Sequence, residues 1–107
     1  MKLIYKDKEI TLKECFTFFS RFKGFMLTKN INKAILFNKC NSIHTFFMFK
    51  NIDVILCNNN NEILYYYNNL PPNKIILPKK NVTKVIELPP NYFNIKLNDR
   101  LEIKEWI

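Results

Sequence analysis

The chain has 107 residues, 48% of them apolar and 24% charged, the size and composition of one domain (1–107) with one core. These values exclude a disordered tail or a fibrous repeat, and apolar runs of only a few residues exclude a membrane-spanning helix. The net charge of +8 rests on 15 Lys and 2 Arg against 9 acids, but the lysines are dispersed and arrive with 16 Asn and 14 Ile, as AT-rich coding produces without any functional demand. Arginine, the usual residue for bidentate phosphate contacts, is nearly absent, so charge alone does not designate a nucleic-acid binder.

Leu3-Ile-Tyr and Glu9-Ile-Thr flank Lys6-Asp7-Lys8 and predict an N-terminal hairpin or a strand with an irregular end. Thr11 to Lys23 predicts the one helix. Leu12, Cys15, Phe16, Phe19 and Phe22 recur at helical steps, Thr11 and Glu14 make a capping box, and Gly24 stands where a left-handed cap belongs. Short strands follow at Ala34 to Phe37, Ile43 to Phe49 and Ile52 to Cys57. Asn58 to Asn61 forms a hairpin turn leading into Glu62 to Tyr67, and Asn68-Asn-Leu-Pro-Pro-Asn interrupts the ladder. Lys74 to Leu77 and Val82 to Leu88 are further strands. Pro89-Pro90-Asn91 turns the chain, Tyr92-Phe93 makes a short helical turn, and Arg100 to Trp106 is the last strand. The fold class expected is α+β, mainly β: about seven short strands in a small curled sheet or barrel with one amphipathic N-terminal helix.

Cys15, Cys40 and Cys57 lack the paired spacing of a zinc site and read as reduced thiols in a cytoplasmic protein, a placement that the charged first residues, unlike a signal peptide, also suggest. His44 is the only histidine and hence the only ordinary neutral-pH base, with Asp53 nine residues on to orient it and Cys40, Ser42 and Thr45 nearby as nucleophiles. Each has a simpler structural role, and a single glycine builds neither a nucleophile elbow nor a phosphate loop. Tyr65-Tyr66-Tyr67 offers too few exposed rings on one face for a stacking track.

Four blocks in order resemble the bacterial and archaeal family called domain of unknown function 192. They are Arg21-Phe-Lys-Gly24-Phe-Met26, Cys40 to Met48 with Ile52 to Leu56, Glu87-Leu-Pro89, and Ile95-Lys-Leu-Asn98-Asp99-Arg-Leu101. The resemblance covers residues 10 to 103 and implies a small β-rich fold with Arg21, Gly24, Met26, Glu87, Pro89, Asn98 and Asp99 as structural motif residues. It implies no activity, and relatives carrying tryptophan at the position of His44 speak against a catalytic base there. Asn91 and Asn98 stand where the family has glycine, a substitution asparagine allows because it tolerates positive φ. Asn51 stands where the family has proline.

The expectation is a non-enzymatic binding or interaction module with no metal and no cofactor, any groove lying around His44, Thr45, Met48 and Asp53. A protein is the favoured partner. The alternatives are a hydrolase using His44 and Asp53, and a polyanion or nucleic-acid binder driven by charge.

Overall fold

The computed structural model describes residues 1–16, 24–26 and 28–105. Strand β1 (Lys2–Tyr5) turns through Lys6 and Asp7 into β2 (Lys8–Glu14), with Tyr5 opposite Lys8. Lys6 takes the positive φ that so short a turn requires. Then come β3 (Ala34–Asn38), β4 (Ile43–His44), β5 (Ile52–Cys57), β6 (Ile63–Leu70), β7 (Ile75–Ile76), β8 (Lys84–Leu88) and β9 (Glu102–Lys104).

Seven strands form one sheet in the order β6-β5-β8-β3-β2-β1-β9, antiparallel except for the β2–β3 pair. The sheet curls until its two edge strands meet a common segment. Ile63 at the start of β6 donates to Asp99 O at 2.9 Å and accepts from Asn98 N at 2.8 Å, and Leu101 N donates to Asn61 O at 2.9 Å. Residues 98–101 then lead directly into β9, so the start of β6 is tied to the far edge of the sheet, while the remainder of β6 keeps β5 as its one strand partner.

The central strands β3, β5 and β8 read as apolar runs because both of their faces are covered. On the inside, Leu36, Ile55, Cys57, Ile86 and Leu88 pack with Leu3, Ile10, Leu12, Phe93 and Leu101. On the outside, Ile35, Phe37, Val54, Leu56 and Val85 pack under Phe25, Met48, Ile76 and Val82. The second layer is a small flap: the two-stranded pair β4–β7, with Ile43 opposite Ile76 and His44 opposite Ile75, together with the turn after β4.

The helix expected over Thr11 to Lys23 is not there. Thr11 to Glu14 lie in β2, with Thr11 opposite Lys2 and Leu12 to Glu14 paired parallel to Ala34 to Leu36. Among the described residues there is no helix, so the α+β expectation gives way to an all-β sheet. The reason is competition between two periods. Ile10 and Leu12 alternate with Glu9, Thr11 and Lys13, and pairing on both sides of β2 realises that alternation, leaving Phe16 exposed. Phe18, Phe19, Arg21 and Phe22 lie outside the described residues, as does Trp106. Two smaller expectations also change. Only Ile43–His44 of the segment 43–49 is strand, and Tyr92-Phe93 forms no helical turn.

The three cysteines form no disulfide with one another. Cys57 is fully buried in the inner core, and burial pushes its thiol up to about 12, whereas Cys40 is half-buried with Sγ 3.1 Å from Ser42 O. Since the thiolate is the reacting species, alkylation of the native protein at pH 8 followed by peptide mass analysis is expected to label Cys40 well before Cys57. Equal rates at the two positions would contradict the packing described.

Candidate functional site

Asp53 is the most highly connected polar residue described. It is wholly buried on β5, paired with Leu88 of β8 on one side. On the other side β6 carries an extra residue: Ile52 faces Leu70 and Val54 faces Tyr67, so Asn68 and Asn69 both stand opposite Asp53 in a bulge. Asn69 takes a φ of 57° to make this bulge. Its N–H donates to Asp53 Oδ1 at 2.7 Å, the Asn68 side-chain amide donates to both carboxylate oxygens at 3.1 and 3.2 Å, and Tyr66 Oη donates to Oδ2 at 2.6 Å. Asn91 N, in the turn after β8, adds a donor to Oδ2 at 3.0 Å, and Asn68 Nδ2 also donates to Asn91 Oδ1 at 2.8 Å. Burial, aided by the neighbouring Asp53, raises the Tyr66 hydroxyl well above its ordinary range, so it stays a donor. The carboxylate is fully engaged in holding β5, the β6 bulge and the turn at Asn91 together.

The other expected groove residues belong to the flap. Thr45 is buried; its Oγ1 donates to Pro71 O at 2.8 Å and accepts from Lys74 N at 2.8 Å, and its backbone N donates to Lys74 O at 2.8 Å. Thr45 therefore ties the Pro71-Pro72-Asn73 turn to the end of β4. Met48 points into the outer core. His44 is half-buried: its ring stacks on Phe46 with centroids 5.2 Å apart, and its Nδ1 accepts from Phe46 N at 3.2 Å. Asp53 draws its donors from β6 and the turn after β8, and His44 is engaged on the flap, so the couple is not assembled as a hydrogen-bonded pair in these bonds.

The motif residues hold the ends of the sheet. Glu87 is buried on β8 beneath the turn at Gly24–Met26, where Phe25 N donates to its Oε1 at 3.3 Å. Gly24 has a φ of 47°, and a methyl group there would stand 2.9 Å from that oxygen. Positive φ and close approach together require glycine at this position. Met26 is buried, and Pro89 opens the turn leading to Asn91. Asp99 Oδ2 accepts from Tyr5 Oη at 2.6 Å, and that hydroxyl accepts from Lys96 N at 3.0 Å, so Asp99 fastens the segment after β8 to β1. Asn98 takes a φ of 72° and Asn91 a φ of 59°, the conformation for which asparagine stands in for glycine. No group of three metal-ligating side chains exists among the described residues.

The sequence reading missed two features. One is the set of donors around Asp53, which the doubled Asn68-Asn69 before two prolines signals as a bulge. The other is the outward side of the flap. Ile76 and Met48 point inward, and the residues beside them, Ile75, Leu77, Phe47 and Phe49, are 60%, 68%, 66% and 53% exposed. The dense Phe46-Phe47-Met48-Phe49 run, too apolar for a solvated turn, was the available signal.

These features define a small curled β-sheet protein whose buried polar groups hold turns in place and whose flap turns an apolar face outward. The chain belongs to the family domain of unknown function 192, described as "Uncharacterized ACR", which matches residues 2–103. It is 36% identical over 95 residues to a UPF0127 protein of Thermococcus sibiricus, covering 80% of this chain and 61% of that relative's length. A protein of unknown function from Novosphingobium aromaticivorans has a similar structure, with a TM-score of 0.77 at 13% identity over 95% of this chain and 82% of that one. A Sinorhizobium meliloti protein provisionally described as a transcription regulator gives 0.76 at 18% identity over 94% and 89%. At such identities the likeness shows the fold alone.

Two substitutions test the buried carboxyls. Asp53→Ala leaves four donors facing an empty acceptor position, and urea unfolding is expected to show a loss of about 3 kcal/mol or more; a loss under about 1 kcal/mol would show that the network holds nothing. Glu87 differs in kind, because burial pushes its carboxyl from 4.5 up to about 8. Between those values the folded chain keeps a proton that the unfolded chain has lost, so this group's contribution to stability falls as pH rises through that window. Glu87→Gln keeps an acceptor for Phe25 N and removes the titration. Its melting temperature relative to the parent is expected to rise steadily from pH 5 to pH 8. A constant difference would contradict a protonated Glu87.

Proposed function

We propose that the chain is a non-enzymatic binding or interaction module whose recognition surface is the outer side of the flap. The observation that carries this reading is the alternation at Phe47-Met48-Phe49 and Ile75-Ile76-Leu77. Inward residues fill the outer core, and outward positions, where a solvated flap has polar side chains, are apolar. The surface is firmly mounted, because Thr45 locks both halves of the flap through its hydroxyl and backbone.

The hydrolase reading has weaker support. A His–Asp couple needs the carboxylate on the imidazole, and Asp53 is held by Tyr66, Asn68, Asn69 and Asn91. A nucleophile needs an open hydroxyl, and that of Thr45 is buried with both a donor and an acceptor partner.

The test pairs turnover with binding. Ester, phosphoester and peptide substrates are offered to the parent chain and to His44→Ala, and thermal unfolding is followed against metal ions, nucleotides, sugars, RNA and heparin. The expected result is no turnover that depends on His44. A ligand at about 100 times its dissociation constant stabilises by about 2.7 kcal/mol, which is readily seen in a domain of this size. Turnover abolished in His44→Ala with unchanged melting would overturn the proposal.

A further inference from the structure

We infer that the outer side of the flap is a docking surface for an anionic lipid bilayer, with Phe47 at its apex. The inference rests on the binding-module reading and names the partner.

The first observation is backbone strain at an exposed aromatic residue. Met48 N donates to Thr45 O at 3.4 Å and closes a turn with Phe46 and Phe47 at its corners. The second corner has a φ of 62°. Such a corner belongs to glycine or asparagine, and a bulky side chain there is an outlier. This chain follows that rule elsewhere: of nine non-glycine residues with positive φ among those described, six are asparagine, two are lysine, and Phe47 alone is apolar. Its ring is 66% exposed, so core packing does not repay the strain. A strained residue retained without a packing reason points to a contact outside the chain.

The second observation is composition. The exposed side chains of the flap are Phe46, Phe47, Phe49, Ile75 and Leu77, with Lys50 directly after Phe49 and Lys74 directly before Ile75, both exposed. Protein interfaces concentrate Phe, Tyr, Trp, Met and Arg and are depleted in Lys, so it is Lys50 and Lys74 at the rim, with no Arg or Tyr among these exposed side chains, that set this patch apart. Apolar tips without hydrogen-bonding groups, set among lysines, fit the bilayer boundary instead: the rings enter the acyl region while the lysine stems lie along it and keep their ammonium groups at the headgroups.

The third observation is where the charge lies. Residues 29–86 hold eight lysines against two acids, Asp53 and Glu62, and so account for six of the eight net positive charges. Asp53 is buried, and Glu62 is bonded to Asn58 in the β5–β6 turn. The exposed acids Asp7, Glu9, Glu102 and Glu105 lie on or beside β1, β2 and β9, none of which pairs with the flap strands. The flap lies within this cationic stretch of sequence, and each lysine near an anionic surface adds to the attraction.

The test is co-sedimentation with vesicles of phosphatidylglycerol in phosphatidylcholine and with vesicles of phosphatidylcholine alone, in low and high salt. Binding to the anionic vesicles is expected, weaker in high salt, and about tenfold or more weaker for Phe47→Asn combined with Phe49→Ser and for Lys50→Glu combined with Lys74→Glu. Phe47→Asn relieves the backbone at the turn, so its melting temperature is expected to stay level or rise by a few degrees, which separates lost docking from lost folding. Absence of binding to anionic vesicles would overturn the lipid assignment. So would binding that the phenylalanine variants leave unchanged, or RNA or heparin binding that displaces vesicles regardless of those rings. Any of these outcomes leaves the binding-module reading standing, since that reading falls to turnover dependent on His44.

Discussion

A single buried carboxylate sets the geometry of this fold. Asp53 sits wholly buried on β5, one strand in from the sheet edge, where a polar side chain is tolerated only with enough hydrogen-bond partners around it. Those donors come from two places well apart in sequence: β6, through the side chain of Tyr66 and the bulge at Asn68 and Asn69, and the turn at Asn91. Satisfying one residue therefore fixes the irregularity of β6 and the direction in which the chain leaves β8. From Asn91 the chain crosses to β1 and β2. Tyr92 donates to Glu9 O, Lys8 Nζ lies 4.0 Å from the Tyr92 ring centroid, and Asp99 accepts from Tyr5. The segment that joins the two sheet edges is placed as a consequence.

The same arrangement explains why groups suited to catalysis serve structure here. Asp53, Thr45 and Glu87 are all buried and all receive backbone N–H groups from turns. With one glycine in the chain, turns cannot rely on glycine's freedom, and side-chain acceptors and asparagines at positive φ do that work. A reactive kit read from residue types alone thus becomes, in three dimensions, a set of turn anchors. What remains for recognition is the outer layer, where the flap protects the sheet with one side and presents apolar side chains with the other.

Membership of the domain of unknown function 192 family sits comfortably with this account. The family blocks map onto parts that hold the sheet: the Gly24 turn over Glu87, the β5 strand with Asp53, the turn after Pro89, and the Asn98-Asp99 link between the sheet edges. Asn91 and Asn98 both take a positive φ, a conformation that asparagine tolerates better than other non-glycine residues.

Much of the strand order along the chain was legible from the residues. The Lys6-Asp7 hairpin, the apolar runs of β3 and β5, the asparagine turn before β6 and the family blocks all follow from local pattern, because turn chemistry and side-chain periodicity are properties of neighbouring residues. The segment from Thr11 to Glu14 was not, since it satisfies a helical and an extended period at once, and only pairing with β1 and β3 chose between them. The fate of Asp53 was equally beyond local reading, because its donors lie 13 to 38 residues away. So was the outward turn of Phe47 and Leu77, because nothing within a short apolar run says which residue meets the core. Sequence determined the composition, the turns and the family. Tertiary structure decided which apolar side chains are buried and which polar groups remain open, because both depend on surfaces brought together by distant parts of the chain.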